Sequence, residues 1–201
     1  MKKKMWLMLT VALGLRLIAI NQSLWLDEAI SIRVVRGFGW REIVNNFSIS
    51  DFHPPLYYLM LKAWGGVFGF GVISMRLPSV LAGVITVWLV AKKNKWAGFL
   101  TAVNPLLIYY SQEVRMYSLT VMWLIAVFYF FEKINQKNNL KNIIFYNLFS
   151  LLAIFSFYGS IFFLGAMGLW WLWQKKYKLV GQTNAGLVLG LLILTPLLRQ
   201  Q

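Results

Sequence analysis

The sequence has no cysteine, so it forms no disulfide and offers no thiolate metal site, and its redox compartment is not written in it. It is also short of charge. Charged residues make up 13% of the 201 positions, against about 25% in soluble domains. Acids are scarcest, with six Asp and Glu and a single histidine in the whole chain. Strand-like alternation of apolar and polar residues is missing too, which argues against a membrane β-barrel.

What remains is hydrophobic, at 59%, with a mean hydropathy of +0.63. The apolar residues come in long runs separated by short polar knots, the pattern of an all-α, polytopic helical membrane protein. The formal net charge is +14. Because the basic residues sit between apolar runs, they fit lipid headgroups and membrane orientation better than nucleic acid. The opening MKKKMWLMLTVALGLRLIAI resembles a signal peptide in charge and apolarity. It lacks a small-residue cleavage site, so it is expected to be a retained anchor.

Lysines cluster at 2–4, at 92, 93 and 95, at 133, 137 and 141, and at 175, 176 and 178, while the arginines lie elsewhere. Short cytoplasmic loops are rich in basic residues, so all four knots are expected inside. Seven crossings satisfy this: 5–21, 74–91, 96–111, 118–132, two passes cut from 143–173, and 179–198. As one helix, 143–173 would be about 46 Å long at 1.5 Å per residue, beyond the ~30 Å hydrocarbon core. It is therefore broken at Tyr158-Gly159-Ser160. The first outer loop, 22–73, is expected to hold short helices near 27–36 and 40–47. A glycine-weakened helix at 54–70 would then lie in or on the outer leaflet. A full span at 54–70 would instead put the second lysine knot outside. On the favoured topology Asp27, Glu28, Glu42, Asp51, His53 and Glu113 all fall outside, and only Glu132 lies inside.

Three polar clusters thus share one membrane face, and each also has an ordinary reading. In SLWLDEA, Asp27 and Glu28 suit the first turn of a helix, and Trp25 suits the interfacial belt. In DFHPPLYYLMLKAW, His53 suits a surface histidine, the prolines suit a helix start, and Tyr57 and Tyr58 suit interfacial anchors. In NPLLIYYSQEVRMYSL, Glu113 and Arg115, flanked by Gln112 and Tyr117, suit a weak surface ion pair. Arg16 and Lys62 are expected to snorkel, and Gly159 and Gly168 to serve packing or a break.

Together with RLPSVLAG, and in that order, these stretches resemble the N-terminal half of bacterial and archaeal GT-C glycosyltransferases. The kin are the protein-mannosyltransferase-like and aminoarabinose-transferase-like membrane enzymes. The likeness is good over 5–132 and loose over 143–201. It implies a single seven-helix module over 1–201 with a large first outer loop, a polyprenyl-phosphate-linked sugar donor, and a catalytic aspartate in the acidic pair. The sequence departs from the pattern at FSFYGS, where Phe157 stands in place of a histidine found in many relatives. It is also shorter than they are, so the family's variable C-terminal helices are expected to be absent, as in a fragment or one piece of a split enzyme.

The chemistry implied is inverting transfer to an acceptor hydroxyl on a protein, lipid or glycan, outside the cytoplasmic membrane, with the N-terminus cytoplasmic. Phosphate is a good leaving group, so one general base suffices. Asp27 is the expected base, with Glu28 orienting it or holding a cation. Arg115 suits the donor phosphate, and Arg76 an anionic headgroup. His53, Gln112, Glu113 and Tyr117 are expected at the substrate. No cofactor is assigned, and a divalent cation at Glu28, His53 and Glu113 is left open. The alternatives are a non-catalytic membrane protein or assembly subunit, and a transporter, against which the lack of midplane ionisable residues in paired repeats counts.

Overall fold

The computed structural model describes residues 2–198, and all regular structure among them is helical. The helices are α1 (Lys2–Leu17), α2 (Leu26–Gly37), α3 (Trp40–Glu42), a π-helical turn (Ile43–Phe47), α4 (Ser48–Asp51), α5 (Leu56–Phe68), α6 (Val72–Lys93), α7 (Lys95–Val103), α8 (Pro105–Ser111), α9 (Tyr117–Gln136), α10 (Leu140–Ser156), α11 (Ser160–Trp173) and α12 (Tyr177–Leu198). Among the described residues three stretches are long and apolar enough to cross a membrane: Val72–Lys93, Tyr117–Gln136 and Tyr177–Thr195. Leu140–Ser156 and Ser160–Trp173 are shorter apolar helices. Helical structure is present near 27–36 and 40–47 and within 54–70, where it was expected.

The chain divides into two compact units. The first is Met1–Ile43 with Tyr57–Met122, and the second is Val44–Leu56 with Trp123–Gln201.

In the first unit two prolines create a problem that side chains solve. A proline has no N–H, so the carbonyl four residues before it loses its helical partner, and in lipid no water replaces it. Pro78 lies inside α6, and the Ser74 carbonyl accepts instead from the Trp64 indole N–H of α5 at 2.9 Å. Pro105 breaks the expected 96–111 crossing into α7 and α8. Asn104 caps the new helix, its side-chain oxygen accepting from the Leu107 amide at 3.0 Å. The carbonyls stranded at the end of α7 are met by Arg16 from α1, which donates to Ala102 O at 3.1 Å and Thr101 O at 3.4 Å.

Arg16 also donates to its own helix at Ala12 O (3.0 Å) and to Ser111 Oγ (3.1 Å). It is fully buried, so it does not snorkel as expected. A Cβ at Gly83 of α6 would run into Arg16 Nε and Ser111 Oγ, so only glycine lets α6 close over the guanidinium. Lys62 is partly exposed and is tied to the fold as well. Its ammonium donates to Val35 O at 3.0 Å, a free carbonyl in the last turn of α2, and lies 5.8 Å from the Trp40 ring.

The second unit packs around Trp171, fully buried on α11 against Phe131 and Tyr146, with ring centroids at 4.6 and 5.4 Å. Its indole N–H donates to Asn135 Oδ1 at 3.0 Å. The expected break of 143–173 occurs at 157–159. Phe157 is extended (φ −158°), and Ser160 Oγ caps the end of α10 by donating to Ala153 O at 3.0 Å. Asn147 joins α10 to α12: its amide nitrogen donates to Gln182 O (2.9 Å) and its oxygen accepts from Gly186 N (2.7 Å). A Cβ at Gly186 would fall 2.6 Å from that oxygen.

Replacing Arg16 with methionine should leave the Thr101 and Ala102 carbonyls buried and unpaired, at about 1–3 kcal/mol for each. A clear fall in the thermal unfolding midpoint of the purified protein in detergent is expected. An unchanged midpoint would mean that α7 ends without help from Arg16.

Candidate functional site

The site grows from the start of α2. Asp27 and Glu28 lie in its first turn, where negative charge suits the helix dipole, yet the two carboxylates face different surroundings. Glu28 is 1% exposed. Its Oε1 accepts from Arg76 Nε at 2.9 Å and from the Val114 amide at 2.8 Å. Its Oε2 accepts from Arg76 Nη2 at 2.6 Å and, more loosely, from the Trp25 amide at 3.4 Å. All four acceptor directions of the carboxylate are therefore filled.

Arg76, on α6, is also fully committed. Besides the two bonds to Glu28, its Nη1 donates to Ile20 O (2.8 Å) and Gln22 O (2.9 Å), and Nη2 donates to Ser23 O (3.4 Å). Five N–H groups meet five acceptors, and the side chain is wholly buried. This corrects the expectation that Arg76 meets an anionic headgroup, because it has no donor left to offer. Glu28 likewise has no oxygen left for a cation. The pair locks the turn after α1, the start of α2, α6 and the 112–116 turn into one arrangement.

That turn, between α8 and α9, is held from three sides. Glu28 takes the Val114 amide, Gln112 Nε2 donates to Leu15 O of α1 at 3.1 Å, and Ser79 Oγ of α6 donates to Arg115 O at 3.4 Å. Gln112 thus anchors the turn to α1 through its amide nitrogen. Tyr117 supports Arg115, its ring centroid 5.8 Å from the guanidinium carbon.

Clamped in this way, the turn presents Arg115 to Asp27. The gap from Nη2 to Oδ2 is 3.6 Å, an ion pair too long for a hydrogen bond. Arg115 is buried, with a side chain 7% exposed, whereas the Asp27 side chain is 37% exposed. Arg115 Nε has no hydrogen-bond partner. A buried charged donor without an acceptor is costly, so this atom is available to an incoming anion. Asp27 is half-open to solvent, with an acceptor that no N–H occupies.

Glu113 and three tyrosines complete the cluster. Glu113 is 3% exposed, and its Oε2 has no partner. Burial pushes its carboxyl above the usual carboxylate range. The Glu28 charge adds to the rise, while a hydrogen bond from Tyr109 and the Arg115 and Arg76 charges partly oppose it. Tyr57 and Tyr58 of α5 are 3% and 1% exposed, so they are buried parts of this cluster and not interfacial anchors. The Tyr57 hydroxyl is unpartnered, and Tyr58 lies within electrostatic reach of Arg115. Sequence reasoning missed Tyr57, Tyr58 and Tyr109. The one signal for the α5 pair was position, since two aromatic residues directly after Pro54-Pro55 begin a helix whose entry is fixed.

His53 belongs to the second unit. It follows Phe52, which is in the left-handed region (φ 56°). Its Nδ1 is 3.0 Å from Asp51 Oδ2 and 2.7 Å from Asp51 O, and its ring stacks on Phe157 with centroids 6.4 Å apart. Among the described residues no three His, Asp or Glu side chains gather closely enough to hold a metal ion, and Arg76 already neutralises Glu28.

The family model described as dolichyl-phosphate-mannose-protein mannosyltransferase matches residues 52–199. Arg76, Glu113, Arg115 and Tyr117 lie inside the matched segment, and Asp27 and Glu28 precede it. No curated protein and no solved structure matches the chain.

Two predictions follow from this geometry. Removing one partner of a buried ion pair strands the other, at about 3–5 kcal/mol. Glu28→Ala should therefore lower stability to unfolding far more than Asp27→Ala, whose half-exposed pair is worth about 0–1 kcal/mol. Equal losses in denaturant titrations would remove Glu28 from its central place. For Glu113, a raised folded pKa means that the folded state holds its proton to higher pH than the unfolded chain does. Stability should then fall as pH rises from the ordinary carboxylate range through the raised folded value. Glu113→Gln should flatten that part of the unfolding-midpoint profile, and an unaltered slope would contradict the shift.

Proposed function

On the premise that this chain belongs to the dolichyl-phosphate-mannose-protein mannosyltransferase family, membrane glycosyltransferases with a lipid-linked donor, we propose that it transfers a sugar from a polyprenyl-phosphate carrier to an acceptor hydroxyl, with inversion. The observation that carries this reading is the contrast at 3.6 Å between half-exposed Asp27 and buried Arg115 with its unpartnered Nε.

In this reading the donor phosphate displaces the long Asp27–Arg115 contact and takes Arg115 Nε and Nη in a bidentate grip, which a planar guanidinium provides and an ammonium does not. Asp27 then accepts the acceptor's hydroxyl proton. The acceptor oxygen forms a bond to the anomeric carbon from the face opposite the phosphate, and the bond from that carbon to the phosphate oxygen breaks. The electron pair leaves with the polyprenyl phosphate, whose added negative charge Arg115 stabilises in a largely dry site. Glu28 positions these groups through Arg76 and Val114 and takes no proton. The unpartnered Tyr57 hydroxyl and Glu113 Oε2 are further polar groups for the sugar. The lysine pattern supports a seven-pass arrangement in the cytoplasmic membrane, with an inward N-terminus and this cluster outside.

Asp27→Asn keeps size and helix-capping ability but cannot accept the proton. Transfer from a polyprenyl-phosphate-linked sugar, measured in membranes containing the chain, should fall by about 10²-fold or more, with the unfolding midpoint unchanged. Near-normal transfer would return Asp27 to the role of a helix-start residue.

A further inference from the structure

At the lysine end of α1 and α7 lies a cavity lined by residues the site does not use. It is a groove of about 560 Å³ between α1 and α7, within the ~300–1,000 Å³ of ordinary ligand sites. Its walls are Met8 and Val11 of α1 and Phe99 and Trp96 of α7, and Lys4 and Lys95 line it from the lysine-bearing ends of the two helices. The lining is otherwise almost wholly apolar.

Both lysines are exposed, and neither makes a hydrogen bond or ion pair with a described residue. Their neighbour Lys92 differs, since its ammonium sits 3.7 Å from the Trp88 ring centre. Trp96 is 78% exposed and offers an indole N–H beside an apolar face, the amphipathic character that suits a headgroup boundary. The occupant must therefore have a long apolar body and an anionic head. Water would leave the walls unfavourably wet, and a neutral lipid would leave two ammonium groups without counter-charge.

We infer that this groove is a binding site for one anionic phospholipid, its acyl chain along Met8, Val11 and Phe99 and its phosphate between Lys4 and Lys95. Basic pockets between membrane helices at the cytoplasmic end bind anionic headgroups in this manner. The site is remote in sequence from the acidic pair and does not depend on the proposed transfer reaction. It would tie α7 to α1 at the end away from the Arg16 clamp.

The test uses the full chain in nanodiscs containing phosphatidylcholine with a small fraction of brominated-chain phosphatidylglycerol, or of brominated phosphatidylcholine as the neutral arm. Quenching of the Trp96 signal, defined by subtracting the Trp96→Phe variant, reports occupancy. The phosphatidylglycerol arm should quench at a concentration about tenfold or more below the neutral arm. The preference should fall about fivefold for each lysine removed in Lys4→Gln and Lys95→Gln, and survive in the equally charge-depleted Lys92→Gln/Lys93→Gln. Millimolar glycerol phosphate should not compete, because it lacks the chain. Equal quenching by both lipids, a preference retained without Lys4 and Lys95, equal loss in the Lys92/Lys93 variant, or full competition by glycerol phosphate would each overturn the inference.

Discussion

The buried pair between Glu28 and Arg76 is the constraint on which the first unit depends. Glu28 Oε2 and Arg76 Nη2 are 2.6 Å apart in a region closed to water. Desolvating two charges offsets most of their attraction, so such a pair is weak evidence for net stability. Its importance lies in what it forbids. With nine donor and acceptor directions filled between them, neither residue can be satisfied unless the turn after α1, the α2 start, α6 and the 112–116 turn all take these positions. The placement of Arg115 beside Asp27 is a consequence, because Val114 is held by the same carboxylate.

Counting donors separates the buried arginines by task. Arg76 spends all five N–H groups on internal acceptors. Arg16 spends its bonds on Ser111 Oγ and three carbonyls, two of them at the α7 end that Pro105 exposes. Arg115 keeps a buried Nε without an acceptor. In a membrane an unsatisfied polar group has no solvent to fall back on, so an arginine with nothing left to donate is architecture, and one with a donor in reserve is poised for an anion. The same logic covers Pro78, whose missing N–H is answered by Trp64.

Much of the architecture was legible because hydrophobic run length and lysine clustering are strong signals. The helix over 72–93 and the break at 157–159 follow from them, and the acidic first turn of Asp27 and Glu28 marks the start of α2. The topology reading put the LDEA and QEVR stretches on one face, and the Val114–Glu28 bond joins the two stretches. Partner choice was not legible. Arg76 and Arg115 look alike in a sequence, and only the tertiary positions of Ile20, Gln22 and Ser23 decide which is saturated. Arg16 and Lys62 read as snorkelling residues because a sequence does not say which carbonyls the folded chain will strand. The Asn104-Pro105 break was missed inside NPLLIYY because apolar continuity on both sides masked the helix start. His53, drawn toward the acidic pair by its motif, sits with Asp51 and Phe157 in the second unit.

The central claim is a division of labour: Glu28 holds the fold together, while Asp27 and Arg115 are proposed to face the substrate. An experimental structure of the chain with a non-transferable polyprenyl-phosphate sugar bound tests it most directly. The account predicts phosphate oxygens about 2.7–2.9 Å from Arg115 Nε and Nη, an Asp27 carboxylate turned away from Arg115 toward open solvent, and a Glu28–Arg76 pair unchanged in geometry. A phosphate bound away from Arg115, or one that draws Arg76 from Glu28, would contradict it.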